Sequence, residues 1–288
     1  MTVRGRTRAA AFVGACLGAA LAMSPAHGED KPREALRVCQ DPNNLPFSNT
    51  KGEGIENHIA ELFGKALGLP VTYYSFPQRL AFIRNTLRYK LPGEDYPCDI
   101  VMGVPLGFDQ VSVTKPYYRS TYALVFAKGK GMDEVASGAD FLKLDPKKLS
   151  SLRIGVYDRS PASDWLARHK LTDQGVPYKI MNADPDQYPG QIIERDLAGG
   201  KIDAAIVWGP IAGYFARRVK EPQLQVVPLR SEPGIKFDYQ MAMGVRYGER
   251  EWKAQIEKLI ATKQPEIEAI LKEYGVPLVD ESFGARQN

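Results

Sequence analysis

The side chains that could do chemistry are few in this sequence, and their spacing matches none of the common catalytic motifs. His58 and Glu61 share one face of a predicted helix, where two ligands could approach one metal ion. Zinc needs more nitrogen or sulfur ligands, and without them such a pair usually lies at a solvated helix edge. Residues 128–131, Lys-Gly-Lys-Gly, lack the spacing and the terminal Ser or Thr of a P-loop. The sequence therefore predicts neither a catalytic set nor a metal site.

Two cysteines are the clearest candidates for covalent chemistry. The chain has three cysteines, and Cys16 lies in the N-terminal apolar run, which leaves Cys39 and Cys98. Cys39 ends one apolar run and Cys98 opens another, so the two could form a disulfide if these runs are neighbouring strands with a suitable register. An even number of cysteines is typical of exported proteins, whose thiols oxidise. We interpret them as a disulfide pair, with two separate buried thiols as the alternative.

The first 28 residues are typical of a secretory signal. Three arginines precede an apolar run of small residues at 9–23, and residues 26–28, Ala-His-Gly, fit a cleavage site. Lipoprotein cleavage at Cys16 is an alternative, but it would leave a very short apolar core ahead of the cysteine. We therefore expect the mature chain to be periplasmic.

The net charge argues against nucleic acid as a partner, and the hydropathy argues against a membrane-spanning helix. The formal net charge is +4 at pH 7, and three of the 38 basic residues lie in segment 1–28, which has no acid. The remaining chain has 35 Lys and Arg against 34 Asp and Glu, with no basic stripe of the kind that binds nucleic acid. No later apolar run approaches the roughly 20 residues of a membrane-spanning helix.

Alternating apolar periods predict the strands and helices that position these side chains. Apolar residues recur at helical spacing over 55–67, and a β-forming run follows at 71–76. A helix near 80–87 and a strand at 99–104 continue this order, which predicts a parallel sheet with right-handed crossovers. The same order of elements repeats over 152–208.

Two extended segments predict a hinge between two lobes. Segments 122–128 and 239–246 flank an insertion the size of a lobe, so the chain is expected to cross between lobes twice. Tyr122 and Tyr239 are the predicted hinge residues. The predicted boundaries are 1–28 for the signal peptide, 29–122 with 241–288 for lobe 1, and 123–240 for lobe 2.

Four short motifs are spread along most of the chain. They are Leu-Pro-Phe-Ser-Asn at 45–49, Cys-Asp-Ile-Val-Met-Gly at 98–103, Lys-Pro-Tyr-Tyr-Arg-Ser at 115–120 and Gly-Lys-Ile-Asp-Ala at 200–204. Together they resemble the type II periplasmic binding proteins, and the resemblance covers essentially all of the mature chain. It implies an α/β fold of two lobes with a two-segment hinge and a binding cleft between the lobes.

The implied cleft lacks the charges with which amino-acid-binding relatives hold their ligands. Those relatives use an arginine shortly before Pro-Tyr-Tyr and an aspartate five residues after the Gly-x-x-Asp acid. Here residues 104–111 contain no arginine, and the second position is Trp208. A zwitterion would enter without compensating charges, so we expect an apolar, partly aromatic guest. The predicted cleft residues are Asn44, Phe47, Gln78, Asp109, Tyr118, Asp158 and Trp208.

Lobe 1 also resembles a narrower family. Runs 37–49, 52–57, 77–79 and 98–105 resemble the XoxJ/MxaJ family, whose members are encoded with periplasmic methanol dehydrogenases. The resemblance implies a non-catalytic accessory that assists assembly or activation of a methanol dehydrogenase dependent on pyrroloquinoline quinone and on a lanthanide. It also implies that metal and quinone belong to that enzyme, so no cofactor is expected in this chain.

Two other functions remain open on the sequence. The chain could be the solute-binding subunit of an ABC importer, with a small ligand other than an amino acid. It could also be an enzyme on a binding-protein scaffold. An enzyme would need an acid or base poised in the cleft, with a perturbed pKa at Glu56, Asp109 or Asp158.

Overall fold

The computed structural model describes residues 1–2, 32–78, 81–179 and 187–284. The predicted signal peptide, apart from its first two residues, lies outside the described residues. From Arg33 onward the chain forms a single unit built on one ten-stranded mixed sheet. Among the described residues, no helix has both the length and the apolar character needed to cross a bilayer.

The first half of the sheet has the strand order β4-β1-β5-β12, with β6 paired to β12. Strand β1 pairs in parallel with both β4 and β5, as the alternating pattern predicts, whereas β12 runs antiparallel to β5. Its elements are β1 (Leu36–Gln40), β2 (Asn43–Asn44), β3 (Ser48–Asn49), α1 (Ile55–Leu67), β4 (Val71–Ser75), α2 (Phe82–Asn85), β5 (Ile100–Pro105) and β6 (Ser112–Val113), completed by β12 (Asp238–Val245), α7 (Arg250–Thr262) and α8 (Gln264–Glu273).

The second half continues the sheet in the order β7-β10-β8-β9, with β11 on the other side of β7. Strands β10, β8 and β9 run parallel, so their carboxyl ends share one edge. Its elements are β7 (Tyr118–Ala127), α3 (Gly138–Leu142), α4 (Pro146–Ser151), β8 (Ile154–Tyr157), α5 (Pro161–Arg168), β9 (Gly175–Tyr178), a π-helix (Ile192–Leu197), β10 (Ala204–Trp208), α6 (Gly209–Arg218) and β11 (Leu224–Pro228), and α9 (Glu281–Gly284) ends the described chain.

Strand β7 belongs to both halves. Its first residues, 118–121, pair with β12, and residues 122–126 pair with β10. The lobe boundaries predicted at 122 and 240 fall inside β7 and β12, and the division into lobes stays a prediction. We call the two parts the first and second half of the sheet.

The C-terminal segment also contacts both halves. Leu278 forms an isolated antiparallel bridge with Ser120 of β7, and the Ser120 hydroxyl donates to the Pro277 carbonyl at 2.7 Å. Further along, Arg230 of the second half donates to the Phe283 carbonyl at 2.7 Å. The C-terminal segment therefore lies across the point where β7 passes from one half of the sheet to the other, and it contacts both halves.

The disulfide predicted between Cys39 and Cys98 is present, with 5.3 Å between the two Cα atoms. It forms because β1 and β5 are neighbours: Cys39 is paired with Val101 in the parallel register, and Cys98 lies just before β5. Both cysteines are fully buried. The bond therefore locks the two central strands of the first half together.

Helix α1 fixes the loop that precedes it. The Asn57 side-chain carbonyl accepts from the backbone N–H of Gly54 at 3.0 Å and of Asn49 at 3.2 Å, which caps the helix N-terminus. Gly54 packs so closely on the Phe47 carbonyl that a Cβ would collide with it. The Leu45–Phe47 turn is thereby held against the start of α1, with its apolar side chains directed to the second half of the sheet.

Candidate functional site: a cavity between the two sheet halves

A cavity of about 310 Å³ lies between the two halves of the sheet. The first half contributes the loop after β1 and the turn after β4, and the second half contributes the carboxyl ends of β8, β9 and β10. Tyr122, on strand β7, also lines it. The described residues that line it are Asp41, Pro42, Asn43, Asn44, Pro77, Gln78, Tyr122, Tyr157, Tyr178, Lys179, Gln187, Tyr188, Pro189, Gln191, Ile192, Trp208 and Ile211.

Three of the seven predicted cleft residues come together in this cavity. Asn44, Gln78 and Trp208 all line it, and the Asn44 side-chain amide donates to the Gln78 side-chain carbonyl at 2.7 Å. The predicted hinge residue Tyr122 lines it too. Asn44 and Gln78 thereby form a polar part of the cavity wall, contributed by the first half of the sheet.

The other four predicted residues lie elsewhere. Tyr118 is buried in the core of the first half, where its ring meets Tyr117 edge to face. Phe47 is half-buried against the core of the second half. Asp109 is exposed in the loop after β5, and Asp158 follows β8 without reaching the cavity wall. These positions follow from tertiary packing, which the chain order alone does not reveal.

Trp208 is the side chain that connects the cavity to both cores. It ends β10 and packs against the apolar cluster of each sheet half. Its ring meets Tyr122 edge to face at 5.6 Å and Tyr239 at 5.8 Å. Both predicted hinge residues therefore contact Trp208. Trp208 thus connects the cavity wall to β7 and β12, the two strands that we call the crossing strands.

Three tyrosines form an aromatic wall that the sequence analysis missed. Tyr157 ends β8 and Tyr178 ends β9, and the parallel register pairs them directly. Tyr188 stands beside them on the segment before the π-helix. The signal was available in the sequence, because carboxyl ends of parallel strands meet at one edge and that edge is where α/β sheets bind ligands.

The charges at the cavity are sparse. The Asp41 carboxylate accepts from the backbone N–H groups of Asn43 and Gln78, so both of its oxygens are already hydrogen bonded within the chain. Lys179 is exposed at the rim, and none of the described lining residues is an arginine. Arg119, which follows the Pro-Tyr-Tyr motif, instead forms an ion pair with Asp238 on β12. The pKa of Asp238 is lowered although its burial acts to raise it, because Ser231 and Arg119 hydrogen bond to the carboxylate.

Glu56 is the acid with the most unusual surroundings near this cavity. It lies in the first turn of α1, half-buried against Gly103, and no described residue forms a hydrogen bond or an ion pair with its carboxyl group. Desolvation, together with the nearby Asp41 charge, raises its pKa to about 8. Glu56 does not line the cavity itself, which separates this proton-binding group from the space that a guest could enter.

No cluster of three or more His, Cys, Asp or Glu side chains suited to a metal ion occurs in the described part of the chain. His58 packs its ring on Tyr274 at 5.9 Å, and His169 lies 2.8 Å from a Glu232 carboxylate oxygen. Both histidines thus have structural neighbours outside the cavity.

The deciding comparison is with a solved structure. The crystal structure of periplasmic binding protein XoxJ from Methylobacterium extorquens AM1 is 35% identical to this chain, covers 86% of it and all of its own length, and superposes with a TM-score of 0.69. The chain belongs to the XoxJ/MxaJ family. The resemblance noted in the sequence and the type II binding-protein fold are both confirmed. As a member of this family, the chain is a periplasmic binding protein associated with methanol oxidation.

A further relative supports membership of the XoxJ/MxaJ family, and two more solved structures share the fold. Protein MoxJ of Methylorubrum extorquens is 29% identical over 96% of this chain and 98% of its own length. The crystal structure of MxaJ from Methlophaga aminisulfidivorans MPT, at 22% identity and a TM-score of 0.71, shares the fold over 85% of this chain and all of its own. An ancestral cationic amino acid solute-binding protein, at 17% identity, shares the fold with a TM-score of 0.62. No protein-family model matches the sequence.

Proposed function

We propose that this chain is a non-catalytic periplasmic accessory that assists assembly or activation of a methanol dehydrogenase dependent on pyrroloquinoline quinone, with a lanthanide-dependent enzyme as the expected partner. Membership of the XoxJ/MxaJ family supports the partner. The observation that carries the proposal is the cavity, which has an aromatic wall and no arginine among its described lining residues. Metal and quinone remain with the dehydrogenase in this proposal.

The balance of polar and apolar groups supports a protein segment as the guest. A charged small molecule entering the cavity would lose water, and burying a charge without a partner is costly. Asp41 already accepts two backbone N–H groups, and Lys179 lies at the exposed rim. An apolar loop of immature dehydrogenase would bury ring surface against the tyrosines without needing a counter-charge.

The contacts of Trp208 suggest how occupancy of the cavity affects the rest of the molecule. Trp208 packs on the cores of both sheet halves and on Tyr122 and Tyr239, the residues of the crossing strands. A guest that contacts Trp208 therefore contacts a side chain that packs on the cores of both halves. We infer that the halves rock about the crossing strands, β7 and β12, while they hold the guest.

Substituting Trp208 tests the proposal through partner binding. Trp208→Asp places a carboxylate on the aromatic wall, and loss of a central aromatic anchor is expected to weaken capture of immature dehydrogenase by roughly 30-fold or more. The measurement is the dissociation constant between the tagged chain and metal-free dehydrogenase.

Tyr247→Asp is the matched control, since Tyr247 is an aromatic residue that is 64% exposed and lies outside the cavity wall. Trp208→Phe should restore most of the binding if the ring is what matters. Equal binding by the wild-type chain and a folded Trp208→Asp variant would contradict the role of the cavity.

An enzyme on this scaffold is a second candidate, and Glu56 is the observation that favours it. Its pKa of about 8 means that the carboxyl group can hold a proton near neutral pH, as a general acid must. Against this stands its position outside the cavity wall. A catalytic role predicts that Glu56→Gln abolishes turnover of a substrate, whereas the accessory role predicts no loss of dehydrogenase activation in that variant.

A further inference from the structure

The three tyrosines of the aromatic wall present ring carbons to the cavity. The Tyr157 hydroxyl donates to the Pro189 carbonyl at 2.8 Å, Tyr178 donates to Asp196 at 2.6 Å and Tyr188 donates to Glu194 at 2.8 Å. Each hydroxyl is thereby tied to the second half itself. The wall is held in place by these bonds and offers a guest apolar surface.

Tyr122 and Trp208 differ from this wall because their donors have no partner. Neither the Tyr122 hydroxyl nor the Trp208 indole N–H forms a hydrogen bond with any described residue, and both side chains are half-buried at the cavity. Burial raises the pKa of Tyr122 to about 12, so its hydroxyl keeps its proton at neutral pH. The two rings are 5.6 Å apart, which puts two unused donors at the crossing-strand end of the cavity.

The size of the cavity limits what can fill it. Its volume of about 310 Å³ is at the lower end of the roughly 300–1,000 Å³ typical of small-molecule sites. An α-helix with its side chains is about 10–12 Å across, so the cavity cannot enclose one. It has room for one large side chain and the peptide groups next to it.

We propose that the cavity is an anchor pocket for a single aromatic side chain on an exposed loop of the partner protein. The ring packs edge to face on the tyrosine wall, the arrangement that aromatic pairs prefer. The adjoining peptide carbonyl accepts from the Tyr122 hydroxyl and the Trp208 N–H, which satisfies both donors. Aromatic side chains in such central pockets carry most of the affinity of many interfaces.

The inference rests on the proposed function only for the identity of the loop, so it can be tested without dehydrogenase. The probe is N-acetyl-L-tryptophanamide, which supplies one aromatic side chain between two peptide groups, measured by isothermal titration on the mature chain. A ligand of this size is expected to bind with a dissociation constant of about 0.1–1 mM. N-acetyl-L-leucinamide, which lacks the ring, and indole, which lacks the carbonyl, should each bind about tenfold more weakly.

Paired hydroxyl deletions test the donor assignment. Tyr122→Phe removes an unused donor and should weaken probe binding by about 2- to 10-fold. Tyr247→Phe removes the hydroxyl of an exposed tyrosine outside the cavity wall, so it should change probe binding by less than about 2-fold. Thermal unfolding of each variant verifies that it folds.

Three results would overturn the inference: no saturable binding of the tryptophan probe, equal affinity for the leucine probe, or equal effects of Tyr122→Phe and Tyr247→Phe. If the probe binds as expected while Trp208→Asp leaves dehydrogenase capture intact, the anchor pocket stands and the proposed function fails. The two claims are thus separable.

Discussion

Glu56 shows how a single half-buried carboxyl group links this fold to pH. The pKa of a glutamate is ordinarily near 4.5, and desolvation with the nearby Asp41 charge raises it to about 8 here. Between these values the folded chain keeps a proton that the unfolded chain has lost. The free energy of unfolding therefore receives a contribution from Glu56 that falls as pH rises from about 4.5 to about 8.

Glu56→Gln should remove this contribution. The variant is expected to lose less stability than the wild-type chain when pH is raised from about 6 to about 9, because glutamine has no proton to lose and so places no charge in this desolvated position. The measurement is the free energy of unfolding in urea at several pH values. Glu61→Gln, on the exposed face of the same helix, is the matched control. Identical pH slopes for wild type and Glu56→Gln would show that Glu56 titrates normally.

Trp208 shows how far motif spacing in the sequence predicts the position of a single side chain. Its position in the chain, five residues after the Gly-x-x-Asp acid, predicted a cleft residue, and it lines the cavity. Tyr118 and Asp109 are also predicted cleft residues, but Tyr118 packs in the core and Asp109 faces solvent. Motif spacing indicates which loop a residue belongs to, whereas packing decides where its side chain lies.

At the scale of elements, the disulfide joins strand β1 to the residues just before β5 and so stabilises the first half of the sheet. Cys98 is followed by Asp99, whose buried carboxylate forms ion pairs with Arg33, Arg37 and Arg246. The pKa of Asp99 is lowered although burial alone would raise it, because Arg37 and Arg246 hydrogen bond to it. The disulfide and this ion network therefore hold the same strand end in place.

Removing the disulfide should cost much of the stability of the first half. Its two cysteines are 59 residues apart, and closing a loop of that length stabilises the folded state by about 4 kcal/mol in the chain-entropy model. The Cys39→Ala, Cys98→Ala double variant is expected to lose about 2–5 kcal/mol in the free energy of unfolding by urea. The wild-type chain unfolded with a reductant is the control, and its stability should approach that of the double variant. A loss below about 1 kcal/mol would mean that strand packing alone secures this end.

The aromatic wall shows which part of the site local sequence patterns did not predict. The sequence predicted strands and helices repeating over 152–208, but not that Tyr157 and Tyr178 lie side by side, because that register depends on pairing between β8 and β9. The helix expected near 80–87 is only Phe82–Asn85 among the described residues. Local periodicity thus predicted the elements, and the site emerged from contacts between elements distant in sequence.

At the scale of the whole molecule, the two sheet halves are joined by more than the two predicted segments. The C-terminal segment bridges β7 through Leu278 and reaches Arg230 of the second half. On the same side, Tyr214 stacks on Tyr274 at 5.4 Å, and Gly213 packs directly against the Gly275 carbonyl. Any rocking of the halves has to displace these contacts, which favours a small motion about the crossing strands over a wide opening.

The central claim is that this chain uses its cavity to bring a methanol dehydrogenase to its active form. The most direct measurement is dehydrogenase activity per amount of dehydrogenase protein in a strain that lacks the chain, complemented with wild type, Trp208→Asp or Tyr247→Asp. We predict that wild type and Tyr247→Asp restore the activity and that Trp208→Asp leaves most of the dehydrogenase inactive. Full specific activity in the strain without the chain, or with the folded Trp208→Asp variant, would contradict the account.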